Sequence, residues 1–353
     1  MWVIISVPSW ASEATYFFMR QLMSNSVLLW HQPDWQSEAQ SWIRSELDNN
    51  DLQLAGEIEQ PHIRPWSTVM TVPTNAGMLY FKASSSIFAH ETALTDYLAR
   101  FRPENSPDLL AVDLKRHWML MRDAGTPLRQ FIRVEKNIAL WTDVLPPYVK
   151  LQKDMAERTT QFLALGVMDR RLEKLPAMFE NLIADKSAML IDQEESLTSE
   201  EYSRLKKSVP DFARRCEKLA SYRIPETIHH DDFHDANIFV QEGKIIFTDW
   251  GESAVTHPFF TLVVMMRGID NSMGVDFSAE SEQVRDMYLG YWTSYASMEE
   301  LRSIARLAQS VGYINRALTW KLSLDNMPEE RKSEYTLAVP SYLKDFIKES
   351  AGT

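Results

Sequence analysis

The sequence has one cysteine, Cys216, and lacks long apolar runs and an excess of positive charge. A lone cysteine cannot form an internal disulfide, which favours a reducing compartment such as the cytoplasm. A membrane-spanning helix needs roughly 20 apolar residues, and no segment approaches that length because Ser12, Glu13 and Arg20 interrupt the apolar N-terminus. The 37 Lys and Arg residues are outnumbered by 49 Asp and Glu, giving a net charge of −12. We therefore expect neither a nucleic-acid-binding protein nor a membrane protein.

The first 30 residues lack the features of a secretory signal, because no Lys or Arg precedes the apolar stretch that begins at Met1. We expect residues 1–30 to form a poorly anchored N-terminal extension. A second hypothesis is that Met23 is the native start, since a cleaner pattern begins there.

At 353 residues the chain exceeds the size at which a single core usually keeps growing, which favours two lobes. Strand-like segments at 66–72 and 78–82, a helix and two further apolar runs come before the polar stretch 122–127. Beyond that stretch the pattern is mainly helical, with one long helix expected over 135–165 and a helix divided at Pro210. The order predicts an α+β fold, with residues 31–122 as one lobe, residues 123–353 as the other, and a cleft between them.

Lys82 lies at the end of a predicted apolar strand, and Glu91 lies on the apolar face of the helix that follows. The other members of that face recur at helical spacing: Ile87, Leu94, Leu98 and Phe101. Burying a lone carboxylate is costly, so Lys82 is the natural partner of Glu91. The alternative is that Glu91 lies at the edge of the face and reaches water.

The segment Ile228–Glu252 concentrates four aspartates, three histidines and an asparagine around a predicted hairpin. Residues 238–240 and 245–247 read as strands, and Gly243 suits the tight turn between them. A hairpin brings its ends together, so Asn237 and Asp249 should be neighbours, with Asp232 only five residues before Asn237. Oxygen ligands for a hard cation beside a proton acceptor suit phosphoryl transfer. Each residue alone is more simply a turn residue, but the set in this order favours chemistry.

The pattern His230-x-Asp232, Asn237 and Asp249-Trp250-Gly251 resembles the aminoglycoside phosphotransferase and choline kinase family of small-molecule kinases. This resemblance implies a protein-kinase-like two-lobe fold, with an antiparallel sheet and one helix in the N-lobe and a mainly helical C-lobe. It implies that Asp232 is the catalytic base, that His230 braces the catalytic loop, and that Asn237 and Asp249 bind Mg2+.

The resemblance also extends to the N-lobe. It implies that Lys82 binds the phosphates of ATP or GTP, that Glu91 is the helix partner of this lysine, and that Met121 is the hinge residue beside the nucleotide base. Two departures stand out: Asp231 occupies the position of the usual glycine, and no Gly-x-Gly-x-x-Gly precedes Lys82. The phosphate cover of that loop is therefore absent or replaced by the turn at 60–66.

The expected function is transfer of the γ-phosphoryl group of ATP or GTP to a hydroxyl of a small-molecule acceptor. The net charge of −12 tips this expectation slightly toward a cationic acceptor. Two alternatives stay open: a catalytically degenerate nucleotide-binding regulator, and a metal-dependent hydrolase built on His229, His230, Asp231 and His234. For His229 the simpler expectation is a strand-end residue hydrogen-bonded to the backbone.

Overall fold

The computed structural model describes residues 28–274 and 279–351, which form two lobes with separate cores. The strands are β1 (Glu59–Ile63), β2 (Ser67–Thr74), β3 (Gly77–Ser84), β4 (Leu109–Asp113), β5 (Trp118–Arg122), β6 (Thr126–Pro127), β7 (Met168–Asp169), β8 (Thr227–His229), β9 (Ile238–Gln241), β10 (Lys244–Phe247) and β11 (Ala254–Thr256). The helices are α1 (Pro33–Asn49), α2 (His90–Phe101), α3 (Leu128–Glu135), α4 (Trp141–Met155), α5 (Thr159–Ala164), α6 (Leu175–Ala184), α7 (Lys186–Met189), α8 (Ser199–Ser221), α9 (Thr261–Met273), α10 (Ala279–Gly290), α11 (Met298–Asp325), α12 (Glu329–Lys332) and α13 (Ala338–Ala351).

The N-lobe is a five-stranded antiparallel sheet in the order β1-β2-β3-β5-β4. Strand residues alternate between the two faces of the sheet. Leu79, Phe81 and Ala83 of β3 are buried in one core cluster with α1. Tyr80 and Lys82, which alternate with them, line the cleft between the lobes. The period-two pattern of β3 therefore sets the lysine on the side where a ligand can enter.

The expected poorly anchored extension, residues 1–30, falls mostly outside the described residues, as does the alternative start at Met23. Leu28 and Trp30, at the end of that segment, are buried in the N-lobe core, so the tethered part of the chain begins no later than Leu28. The Trp30 indole also donates to the Arg64 carbonyl at 2.7 Å.

The stretch between the lobes does more than connect them. Thr126 and Pro127 form β6, which pairs with Val240 and Phe239 of β9 and adds a third strand to the hairpin of β9 and β10. Gly125 has φ of +95°, and a Cβ there would lie 2.3 Å from the Val240 carbonyl oxygen. This position accepts only glycine, because another side chain would prevent the linker from meeting the hairpin.

The C-lobe is mainly helical, but two expectations about its helices were wrong. The helix expected over 135–165 begins where α3 ends and is divided into α4 and α5. Lys136 ends α3 with φ of 50°, and its Nζ donates to the carbonyls of Ser272 and Met273, which are tertiary contacts that local periodicity does not reveal. The helix expected to be divided at Pro210 runs unbroken as α8. Its capping box at Thr198 and its buried face outweigh the roughly 3 kcal/mol that an interior proline costs.

The hairpin of β9 and β10 has the expected register, with Ile238 opposite Phe247 and Gln241 opposite Lys244. Glu242 and Gly243 both have positive φ, 51° and 79°, as a tight two-residue hairpin turn requires. Among residues 28–274 and 279–351, no helix is long and apolar enough to cross a membrane.

Candidate active site

Lys82 joins the two lobes electrostatically. Its Nζ lies 2.5 Å from Glu91 Oε1 on α2 and 2.6 Å from Asp249 Oδ1 in the C-lobe. Glu91 is only 2% exposed and also accepts a hydrogen bond from Ser84 Oγ at 2.5 Å. Glu91 is therefore paired inside the protein rather than reaching water at the edge of its helix. The pairing expected from the sequence is present, and the role of both residues in nucleotide binding stays a prediction.

Asp249 is in a strained conformation at the end of the hairpin. It has φ of 65° and ψ of 56°, the left-handed region that a non-glycine residue occupies at a cost. Its side chain is 51% exposed, so it opens toward the cleft. Burial alone would lower the pKa of Lys82, but Asp249 and Glu91 raise it above its usual value. Lys82 in turn outweighs the desolvation of Asp249 and lowers its pKa, so both groups are charged at neutral pH.

Asp232 is surrounded by donors that hold it as a carboxylate. Its Oδ1 accepts from Arg316 Nη2 at 2.9 Å, and its Oδ2 accepts from Asn237 Nδ2 at 3.1 Å. His234 Nε2 lies 3.3 Å from the same Oδ2. Burial would raise the pKa of Asp232, but Arg316 and His234 hold it well below the usual range for a carboxyl. The group is thus ready to accept a hydrogen bond from an acceptor hydroxyl.

Asn237 and Asp249 offer oxygen atoms that suit a hard divalent cation. The Nδ2 of Asn237 donates to the carbonyl and carboxylate of Asp232, and its Oδ1 accepts no hydrogen bond from the described residues. Asp249 uses Oδ1 for Lys82, and Oδ2 has no partner among them. Thr248, between the two, donates from its backbone N to Asn237 O at 3.0 Å, which fixes the spacing of the pair. An amide oxygen and a carboxylate oxygen are ligands that Mg2+ accepts, so the residues fit the ion.

His230 is buried behind the site rather than exposed in it. Its Nε2 lies 2.7 Å from the Thr248 carbonyl, and its ring packs on Trp250 with centroids 4.6 Å apart. Burial lowers the pKa of His230 to about 4, so the ring is neutral. A neutral ring that ties the loop of Asp232 to the segment before Asp249 can position the loop, and it does not reach the cleft.

Arg316 of α11 is the functional residue that the sequence reading missed. It is 4% exposed, and besides Asp232 it pairs with Glu252 and lies 3.7 Å from Asp231 Oδ2. The desolvation of Glu252, with Asp232 and Asp231 nearby, raises its pKa to about 8 despite Arg316. One buried arginine therefore contacts three acidic side chains: Asp231, Asp232 and Glu252.

Asp231, where relatives in the resembled family have glycine, keeps the backbone that a glycine would favour, with φ of 58°. Its buried carboxylate accepts from Asn315 Nδ2 at 2.8 Å and from Thr319 Oγ1 at 2.5 Å, both on α11. The available sequence signal was a pair of polar residues on the apolar face of α11, four positions apart, where burial without partners would be costly.

The histidines of this segment do not converge on a metal. His229 bonds Asp231 at 3.0 Å and Thr261 Oγ1 at 3.1 Å, so the expectation of a backbone partner was wrong. His234 lies beside Asp232, which raises the pKa of His234 against the effect of burial. Within the described parts of the chain, no group of three or more His, Cys, Asp or Glu residues could hold a metal ion. This finding disfavours the metal-dependent hydrolase.

The cleft between the lobes has a volume of ≈ 650 Å³ and is lined by five of the seven candidate residues; Asp232 and His230 are not among the residues that line it. It is lined from the N-lobe by Lys82, Glu91 and Met121, and from the C-lobe by Asn237 and Asp249. A larger groove of ≈ 810 Å³ lies between the N-lobe, beside Trp30 and Arg116, and residues 325–330 of the C-lobe, and none of the predicted site residues lines it. The larger of these two cavities is therefore not the one that the candidate site residues line.

Comparison with solved structures shows which fold this is. An ethanolamine kinase from Plasmodium vivax is 11% identical, with 97% of this chain and 99% of that chain covered and a TM-score of 0.59. A choline kinase from Cryptosporidium parvum Iowa II is 12% identical over 96% of each chain, with a TM-score of 0.58. A choline/ethanolamine kinase family protein from Mesorhizobium loti is 14% identical, covers 89% of this chain and 98% of its own, and has a TM-score of 0.57. The expected protein-kinase-like two-lobe fold is confirmed.

No curated protein matches the chain significantly. The model of a family described as the phosphotransferase enzyme family matches residues 89–302, which is 214 of 353 residues. The match covers α2, the linker, the hairpin of β9 and β10 and most of the C-lobe. The chain belongs to the phosphotransferase enzyme family.

Proposed function

We propose that the protein is a small-molecule kinase that transfers the γ-phosphoryl group of ATP or GTP to a hydroxyl of its acceptor. The observation that carries the proposal is the contact at 2.6 Å between Lys82 Nζ of the N-lobe and Asp249 Oδ1, just after the hairpin of β9 and β10 in the C-lobe. Asp249 shares its hairpin end with Asn237, which bonds Asp232. A phosphate-binding cation and two cation ligands thus line one cleft, and the proton acceptor Asp232 is hydrogen-bonded to one of them, Asn237.

Each residue has a distinct part in this mechanism. Lys82, held by Glu91, binds the phosphates; Asn237 and Asp249 would hold Mg2+, which would supply positive charge to offset the negative charge that builds up on the transferring group. Asp232 orients the acceptor hydroxyl and takes its proton as the oxygen attacks in line. Met121 on β5, in the wall of the cleft, would lie beside the nucleotide base.

The deciding experiment is single-turnover transfer from ATP and GTP, with Asp232→Asn beside wild type. A general base typically contributes about 10²- to 10⁴-fold, so we expect Asp232→Asn to lose at least about 100-fold in rate. Asp143→Asn, an exposed aspartate in the first turn of α4, is the matched control and should keep the wild-type rate. Lys82→Ala should sharply weaken nucleotide use. If wild type and Asp232→Asn both transferred phosphate only at the background rate, the kinase proposal would be wrong. A regulator that binds nucleotide without transferring phosphate would then be favoured.

The acceptor is the part of the function that needs a screen. The similar structures include proteins titled ethanolamine kinase and choline kinase, which makes small amino alcohols the first acceptors to test. Homoserine, aminoglycosides and macrolides complete the panel, with release of ADP or GDP as the readout. The net charge of −12 slightly favours a cationic acceptor. Because the chain has a single cysteine, the cytoplasm stays the expected location of this kinase.

A further inference from the structure

The turn between β1 and β2 occupies the place where protein kinases carry a glycine-rich loop over the nucleotide phosphates. Its residues here are Arg64, Pro65, Trp66 and Ser67, without a glycine. Arg64 donates its backbone N–H to Ser67 O at 2.8 Å, and Pro65 has no N–H to donate. A glycine-rich loop binds phosphate through free backbone amides. Of the four backbone N–H positions in this turn, the one at Arg64 is already hydrogen-bonded and the one at Pro65 does not exist.

The same turn is fastened on both sides. The Arg64 carbonyl accepts from the Trp30 indole at 2.7 Å, and the Trp66 carbonyl accepts from Ser85 N at 2.8 Å. The Trp66 ring meets Trp320 and Tyr335 of the C-lobe edge-on, with centroids 5.9 and 5.3 Å apart. A turn fixed in this way is not free to wrap around a triphosphate, so side chains must supply the missing contacts.

Strand register shows which side chain is placed to do so. His62 of β1 lies opposite Val69 of β2, Val69 lies opposite Lys82 of β3, and Lys82 lies opposite Met119 of β5. Directly opposed residues of neighbouring strands point to the same face of a sheet. All four line the cleft, which confirms that this row faces the site. Strands lie about 4.8 Å apart, so His62 and Lys82 are about 10 Å apart at the backbone, and both can reach one polyphosphate.

His62 has no structural task that would explain its place. Its backbone carbonyl accepts from Thr68 Oγ1 at 2.8 Å, but its imidazole makes no hydrogen bond to any described residue. It does experience the charges of the site: His62 is exposed, but partial desolvation, then Arg64, lowers its pKa, and Asp249 opposes this while Lys82 adds to it. The imidazole is thus near the charged groups of the cleft and available to a ligand.

We propose that His62 is a phosphate-binding residue of the nucleotide site. Its imidazole N–H donates to a non-bridging oxygen of the β- or γ-phosphoryl group, on the side of the triphosphate away from Lys82. This assignment rests on the proposed kinase function, and it gives the N-lobe a side-chain substitute for the missing glycine-rich loop.

The test is calorimetric binding to the full-length protein with Mg2+ and three ligands: adenosine, ADP and the imido analogue of ATP, with the guanine series in parallel. One hydrogen bond to a charged group contributes about 1.5 kcal/mol or more, so His62→Ala should weaken binding of the triphosphate analogue by about tenfold. Adenosine binding should be unchanged. His62→Gln keeps an N–H donor and should recover part of the loss. His31→Ala, an exposed histidine outside the cleft, is the matched control.

The outcomes separate this inference from the function on which it rests. If wild type and His62→Ala bound the triphosphate analogue equally well, the role of His62 would be overturned and the kinase proposal would not be affected. Loss of adenosine and triphosphate binding by the same factor would also overturn it, because a phosphate contact cannot affect a ligand without phosphate. Wild type that binds neither series would overturn the kinase function and the His62 assignment together.

Discussion

Replacing Arg316 with methionine should destabilise the protein severely, because Arg316 is the buried counter-charge of Asp231, Asp232 and Glu252. Removing one partner of a buried ion pair costs about 3–5 kcal/mol. Burial raises the pKa of Glu252 to about 8, so this carboxyl is already largely neutral at neutral pH, and the charges left without Arg316 are those of Asp231 and Asp232. We therefore expect the lower end of the range, a loss of about 3 kcal/mol in the free energy of unfolding at neutral pH.

The assay is urea unfolding followed by tryptophan fluorescence, with Arg306→Met as the control. Arg306 is exposed on the same helix, so its replacement should change stability by no more than about 0.5 kcal/mol. The pH dependence adds a second check. Arg316 outweighs burial and lowers the folded-state pKa of Asp232, so its contribution is present above the ordinary aspartate pKa of about 3.9 and is lost as the pH falls through the lowered value.

The difference between wild type and Arg316→Met should accordingly shrink in acid. A loss equal to that of Arg306→Met, or one that does not change with pH, would refute the view that Arg316 holds the carboxylates of the site through charge.

Two further predictions concern Glu252 and Gly125. Burial raises the folded-state pKa of Glu252 to about 8, against about 4.3 in an unfolded chain. The free energy of unfolding of the wild type should therefore fall as the pH rises between these two values. Glu252→Gln should flatten this pH dependence, and an unaltered pH dependence would disprove the raised pKa of Glu252. Gly125→Ala should destabilise by about 2–4 kcal/mol through its positive φ and the contact with the Val240 carbonyl. Gly290→Ala, where no atom lies within 4 Å of the added Cβ, is the control in thermal unfolding; equal effects would contradict the linker constraint.

The elements that could be predicted from the sequence are those fixed by short-range patterns. The hairpin register follows from two strand-forming runs and one glycine, and the pairing of Lys82 with Glu91 follows from a carboxylate on an apolar helical face. Thr198 likewise begins α8 with a capping box, as the Thr198-x-x-Glu201 spacing indicates. In each case the deciding contacts lie close together in the chain or follow from the cost of burying a charge.

The parts that could not be predicted depend on distant contacts. Arg316 is 84 residues from Asp232, and no local pattern indicates which acid a buried arginine will meet. The end of α3 depends on Lys136 reaching two carbonyls 136 and 137 residues away. Pro210 misled in the opposite direction, because the packing of α8 outweighed a strong local preference. Tertiary packing overrides the local secondary-structure preference of a residue wherever burial contributes more free energy than that preference.

The ring contacts of Trp66 with Trp320 and Tyr335 also bear on the kinetics of turnover. An edge-to-face aromatic pair contributes about 0.5–1.5 kcal/mol, so parting both pairs costs about 1–3 kcal/mol and favours the closed arrangement by about 5- to 150-fold. If the proposed kinase exchanges its nucleotide by parting the lobes at this edge, we expect exchange to proceed through a minority of open molecules. These three rings should then slow departure of the spent nucleotide rather than the phosphoryl transfer itself.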